Sequence, residues 1–228
     1  MVAVPRLPRL KYCGLTRVED VLGAIDCGAD AIGLNFYPDS PRCISSDTAR
    51  RLSSAINHRA MVVGVFVNAS VEAVADMVDR CRLDCVQLHG DESPEWVEQA
   101  SSDSALKTKS FIKAIAWRDT DRDRHEAQRW SQYDNPCVLG LLVDAFDPVQ
   151  RGGTGRTARW DLLSPRPIEF GGLSILLAGG LTEHNVSEAI RMAKPDGIDL
   201  ASGIESEPGV KELLKMQAIS KIAIPLLS

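Results

Sequence analysis

Strong positive charge is missing from this 228-residue chain: 26 lysines and arginines stand against 31 aspartates and glutamates, for a formal net charge of −5, and no basic block occurs. That excludes the electrostatic footprint of a nucleic-acid binder. Long apolar runs are missing too. No stretch reaches the length of a membrane span, and the opening "MVAVPRLPRL" interrupts its hydrophobic residues with two prolines and two arginines, unlike a secretory signal. The expectation is an unprocessed cytoplasmic protein with no nucleic-acid or membrane partner. Histidine is scarce, with four in the chain, and the six cysteines at 13, 27, 43, 81, 85 and 137 form no CxxC pair. Neither a cysteine and histidine metal site nor a disulfide framework is expected, so the thiols read as reduced and mostly as small core residues.

What is present is a rhythm of short apolar runs. "RLKYC" (9–13), "AIGLNFY" (31–37), "MVVGVFV" (61–67), "CVQLH" (85–89), "FIKAIAW" (111–117), "VLGLLVD" (138–144), "LSILLAG" (173–179) and "GIDLAS" (197–202) are rich in Val, Ile and Leu with little polar alternation. Such runs fit strands buried on both faces of a parallel sheet. Between them lie segments of helical period: "TRVEDVLGAIDCGAD" ends at Gly28, "SSDTARRLSSAI" and "NASVEAVADMVDRC" open on serines, and "SPEWVEQA" puts Pro94 in a first turn. "RDTDRDRHEAQRWSQY", "TARWDLL", "TEHNVSEAIRMA" and "GVKELLKMQAIS" complete eight helices, the first of these four showing a solvated charged face.

Eight strands alternating with eight helices predict one α/β domain over residues 1–228, a (β/α)8 TIM barrel with residues 1–8 as a short N-terminal extension. A doubly wound open sheet is the alternative. It usually carries a glycine-rich loop after its first strand, where this chain has the single Gly14.

In a barrel the loops after the C-terminal strand ends carry the chemistry. Cys13, His89 and Asp144 end the first, fourth and sixth runs, and glycine turns "GGTG" (152–155), "AGG" (178–180) and "ASG" (201–203) follow the sixth, seventh and eighth. Backbone N–H groups of such turns suit a phosphate, although glycine also simply turns a chain. Asp144 is a candidate acid or a turn cap. His89 is a candidate ligand or orienting group, or a buried histidine with a satisfied hydrogen bond. Arg42, in the loop "NFYPDSPRCIS", suits a planar carboxylate held by two parallel hydrogen bonds, or pairs at the surface with Asp39 or Asp47.

Taken together, "KYCGLT", "FYPDSPR", "GVFVN", "VQLHGDE", "LLVDA", "GGTGRT", "LAGGLTEHNV" and "IDLASGIE" resemble the phosphoribosylanthranilate isomerase family of tryptophan biosynthesis, in the family's order and across nearly the whole chain. The resemblance implies an Amadori rearrangement of N-(5-phosphoribosyl)anthranilate, a small phosphosugar substrate, by general acid-base catalysis with neither metal nor organic cofactor. It puts the general base on Cys13, the general acid on Asp144 and carboxylate binding on Arg42. Phosphate binding falls on Gly153, Gly155, Gly179, Gly180, Ser202 and Gly203, and His89 and Asp199 match supporting positions. Two departures are visible: Tyr12 replaces an aliphatic residue and Arg156 stands where lysine is commoner.

That chemistry makes an electrostatic demand. Asp144 must begin protonated and Cys13 ionised, whereas ordinary values of about 3.9 and about 8.5 favour the reverse. Lys11, two residues before Cys13 on the same strand face and roughly 7 Å away, is the candidate cation for lowering the thiol. Tyr12 faces the other side of the strand, where it alters packing rather than chemistry. Competing readings are a histidine-pathway isomerase barrel, which has aspartate where this chain has Cys13, a metal-dependent sugar-phosphate epimerase, and a binding protein without turnover. A monomer or a homodimer fits the chain equally.

Overall fold

The computed structural model describes residues 6–133, 135–144 and 159–227. Eight parallel strands close into a barrel: β1 (Leu10–Cys13), β2 (Ala31–Asn35), β3 (Met61–Phe66), β4 (Cys85–Leu88), β5 (Ser110–Ala116), β6 (Val138–Asp144), β7 (Ser174–Ala178) and β8 (Gly197–Leu200). The seam is the pairing of β8 with β1, which sets Lys11 opposite Asp199. All eight apolar runs form strands. Alternation then divides each between two cores. Ala31, Val63, Cys85, Ile112, Leu142 and Leu176 fill the barrel interior, while residues such as Tyr12, Ile32, Val86, Phe111 and Leu177 pack outward against the helices.

The helical layer follows its caps. In α1 (Val18–Asp26) the chain leaves through Gly28 at φ 89°. Ser45 and Ser70 begin α2 (Ser46–Ile56) and α3 (Val71–Cys81) by accepting hydrogen bonds from Thr48 N and Ala73 N. α4 (Pro94–Ala100) has Pro94 in its first turn, and α5 (Asp121–Gln132) opens on a capping box between Thr120 and Asp123. Asp123 is thereby buried, as is Trp130, so the charged stretch of α5 is not wholly a solvated face. α6 (Val186–Ala193) and α7 (Leu213–Ala223) complete the set.

Two elements differ from the sequence expectation. "TARWDLL" forms only a 3-10 turn at Trp160–Leu163 among the described residues. "GVKELLKMQAIS" starts its helix late, because Val210–Lys211 (β10) pairs antiparallel with Glu205–Glu207 (β9) in a small hairpin beyond β8. Tyr12 does point away from Cys13: its hydroxyl donates to Met216 O at 2.9 Å and lies 2.7 Å from Ser220 Oγ, both on α7.

Candidate active site

A cavity of about 540 Å3 opens at the C-terminal mouth of the barrel, and Cys13, Arg42, His89, Asp144, Asp199, Gly179, Gly180, Ser202 and Gly203 all line it. Strand register explains the meeting of groups so distant in sequence. Cys13 and Asp144 are the last residues of β1 and β6, and Gly179 and Ser202 follow β7 and β8 within two residues. A neighbouring cavity of about 610 Å3 shares Val67, His89 and Asp144, so these three residues divide the mouth. Gly153, Gly155 and Arg156 lie outside the described residues.

Lys11 is closer to Cys13 than strand spacing alone implies. A methyl group on Gly33 would sit 2.7 Å from Cys13 Sγ and 3.1 Å from Lys11 Nζ, so the thiol and the ammonium crowd one side-chain-free patch of β2. Lys11 is fully buried and bonds Asp199 Oδ1 at 2.8 Å. Burial works against its charge, but Asp199 and Cys13 outweigh it, and the ammonium is held above its ordinary value. The thiol departs from the expectation in sign. Burial pushes Cys13 up more than Lys11 and Lys211 pull it down, so its net shift is upward.

Burial pushes the His89 imidazole below its ordinary value, with Lys11 adding repulsion. Its Nδ1 lies 2.8 Å from Gln87 Nε2. With that amide donating, the imidazole proton sits on Nε2. Gln87 was not singled out from the sequence, although alternation in "CVQLH" puts it on the face of His89; its Oε1 is buried and has no hydrogen-bond partner among the described residues.

Arg42 reaches neither Asp39 nor Asp47. Its Nε and Nη2 donate to the two carboxylate oxygens of Glu205 at 2.8 and 2.6 Å. Its aliphatic stem passes so close over Gly14, which has φ 72°, that any side chain there would overlap Cδ. The glycine turns after β7 and β8 meet in the same manner, for a methyl on Gly203 would run into the Leu181 carbonyl. Asn185 braces the first of these turns, accepting from Thr182 N at 2.8 Å and donating to Gly180 O at 2.9 Å. The six cysteines are free thiols, and Cys85, enclosed in the barrel, is pushed up to about 12 by burial.

Chemistry gathered at the C-terminal strand ends of a closed parallel barrel is the hallmark of (β/α)8-barrel enzymes, and this chain is one. Residues 10–221 match the family model described as N-(5'phosphoribosyl)anthranilate (PRA) isomerase. A curated N-(5'-phosphoribosyl)anthranilate isomerase of Geotalea uraniireducens (strain Rf4) is 43% identical over 218 residues, covering 95% of this chain and 98% of its own. The crystal structure of phosphoribosyl anthranilate isomerase from Thermotoga maritima superposes with a TM-score of 0.82 at 34% identity, over 96% of this chain and all (100%) of that one. Another crystal structure of this isomerase, in complex with reduced 1-(o-carboxyphenylamino)-1-deoxyribulose 5-phosphate, gives a TM-score of 0.79 at 33% identity, over 96% of this chain and 100% of that one. The chain therefore belongs to the phosphoribosylanthranilate isomerase family, the isomerases of tryptophan biosynthesis. No helix among its described residues is long and apolar enough to cross a membrane.

Proposed function

We propose that this chain converts N-(5-phosphoribosyl)anthranilate to 1-(2-carboxyphenylamino)-1-deoxyribulose 5-phosphate, with Asp144 as general acid and Cys13 as general base. Asp144 protonates the ribose ring oxygen, and the C1–O bond breaks to leave a Schiff base. Cys13 then removes the C2 proton, and the resulting enolamine tautomerises to the ketone. The observation that carries this reading is the placement of a thiol and a carboxylate at the ends of two separate strands on one cavity, beside a guanidinium and glycine turns.

Around that pair, Arg42 receives the anthranilate carboxylate. Gly179, Gly180, Ser202 and Gly203, with Gly153 and Gly155 from the loop after β6, receive the phosphate through backbone N–H groups. Lys11 and Asp199 support the thiol from below, and His89 presents Nε2–H at the mouth. The burial that holds the thiol above its ordinary value makes its thiolate, once formed, the stronger base, as abstraction of a carbon-bound proton requires. The reaction needs neither metal nor organic cofactor. The working protein is a single barrel domain in the cytoplasm, monomer or homodimer, with a small phosphosugar as its partner and no nucleic acid.

Turnover of freshly generated phosphoribosylanthranilate, followed by loss of anthranilate fluorescence, tests the assignment. Wild type is expected to be active, with Cys13→Ser and Asp144→Asn each losing about 100-fold or more in kcat while remaining folded, as removal of a general acid or base does. Near-normal turnover by either variant removes that residue from its role. An inert wild type removes the substrate and leaves a binding protein or another phosphosugar.

A further inference from the structure

Arg42 has been given a substrate carboxylate, yet a buried carboxylate of the protein already occupies one edge of its guanidinium. Glu205, with a side chain only 4% exposed, takes the Nε and Nη2 protons. Glu205 is in turn shared: Lys211 Nζ, wholly buried, bonds its Oε1 at 2.7 Å, and the backbone N–H of Gly209 donates to the same oxygen at 3.1 Å. Lys211 spends its other donors on Cys13 O at 2.6 Å and Ala201 O at 3.1 Å, the carbonyls where β1 and β8 end. The hairpin that carries these residues is fastened again where Thr16 donates to Gly209 O at 2.7 Å and Lys211 N donates to Asp20 at 3.1 Å.

We propose that Glu205 and Lys211 are specificity-positioning residues, which fix the Arg42 guanidinium so that its Nη1–Nη2 edge faces the cavity as an end-on receptor for the substrate carboxylate. The proposal rests on the reading of Arg42 above and adds how that residue is made selective. A guanidinium can bind two carboxylates at once, one on each edge. Side-on capture by Glu205 fixes the plane of the group, while the N–H pair at the far end stays free to form a second bidentate contact.

The charge of the cluster also favours an anion. Arg42 and Glu205 alone would form a neutral pair with little attraction for an anion. Lys211 adds a second cation, and the cluster as a whole keeps one positive charge for the incoming carboxylate. Sequence alone did not single out either residue. Glu205 ends "IDLASGIE", beyond the glycine turn, and the helical period of "GVKELLKMQAIS" includes Lys211 although the helix begins two residues later.

The test compares phosphoribosylanthranilate with the aniline analogue that lacks the carboxylate, each generated from the free amine and ribose 5-phosphate, as substrates of wild type, Glu205→Gln and Lys211→Met. Wild type is expected to favour the carboxylated substrate in kcat/KM. In each variant that preference falls by about tenfold or more, mainly through KM: Lys211→Met removes the net positive charge, whereas Glu205→Gln raises it but can accept from only one of the two Arg42 donors, so the guanidinium loses its fixed orientation. A variant that loses kcat/KM equally on both substrates marks a purely structural pair and overturns the proposal. Should Lys211→Met fail to fold, Glu205→Asp, which keeps the charge but shortens its reach, is read on the same ratio and is expected to fall between wild type and Glu205→Gln. A wild type with no preference for the carboxylate overturns the role of Arg42 itself, and one inert on both substrates overturns the functional reading beneath it.

Discussion

Lys11 on β1 and Lys113 on β5 are both buried lysines on barrel strands, but they project to opposite faces and titrate in opposite directions. Lys11 points into the barrel, with Asp199 at 2.8 Å and the Cys13 thiol beside it, and is held above its ordinary value. Lys113 points outward between the barrel and its helices, 6.0 Å from the centre of the Trp130 ring, with Glu92 at 3.4 Å, and burial leaves it below its ordinary value. Desolvation penalises both cations, and the sign depends on whether the anionic groups beside each outweigh it, as Asp199 and Cys13 do for Lys11 and Glu92 does not for Lys113. The first lysine belongs to a unit that reaches the thiol. The second holds a loop, since it also donates to Gly90 O, and Glu92 accepts from Asn68 N at 2.6 Å and Gly90 N at 2.8 Å.

Lys11→Met should produce the larger effect. It leaves Asp199 buried beside an apolar group, a loss of about 3–5 kcal/mol when one member of a buried pair is removed. It also removes the strongest of the influences that lower Cys13. The thiol pKa must therefore rise on loss of a close opposite charge, and the basic limb of the bell-shaped kcat/KM profile should move to higher pH. An unmoved limb in a folded variant would detach Lys11 from the thiol. The stability that Lys11 contributes has the sign of a raised cation: it is fully present below about 10.4 and is lost as pH rises through the folded value. Thermal unfolding should accordingly show the deficit of the variant undiminished across the neutral range.

Lys113→Met sharpens the contrast from the other side. Glu92 keeps its two backbone donors, so the expected cost is smaller, about 1–3 kcal/mol, read as a lower Tm. Both limbs of the pH profile should stay where wild type has them. A shift like that of Lys11→Met would mean that the outer and inner faces of the barrel are electrostatically one system.

These contrasts also mark where sequence reading runs out. Periodicity finds β1 to β8 because each strand buries both faces, and the positions of Cys13, His89 and Asp144 at run ends follow from that alone. It cannot tell which residue of a distant segment lies across the barrel. Lys11 with Asp199 depends on closure of β8 onto β1, and Arg42 with Glu205 depends on the β9–β10 hairpin, whose strands of three and two residues are too short to leave a pattern. The sign of the Cys13 shift escapes for a related reason. A neighbouring cation is visible two residues away in the sequence, whereas the depth of burial that outweighs it is a property of the whole fold.

Tyr12→Phe gives the smallest effect and the cleanest control, because Tyr12 lies on the same strand, between Lys11 and Cys13, yet faces α7. The change removes the bonds to Met216 O and Ser220 Oγ and leaves those groups buried, at a cost of about 1–2 kcal/mol. Nothing on the inner face of β1 loses a partner. The expected outcome is a modest fall in Tm with kcat and both pH limbs unchanged, measured alongside Lys11→Met. Were Tyr12→Phe to move the basic limb as well, displacement of β1 as a whole would account for both variants, and the charge of Lys11 would no longer be needed to explain the titration of Cys13.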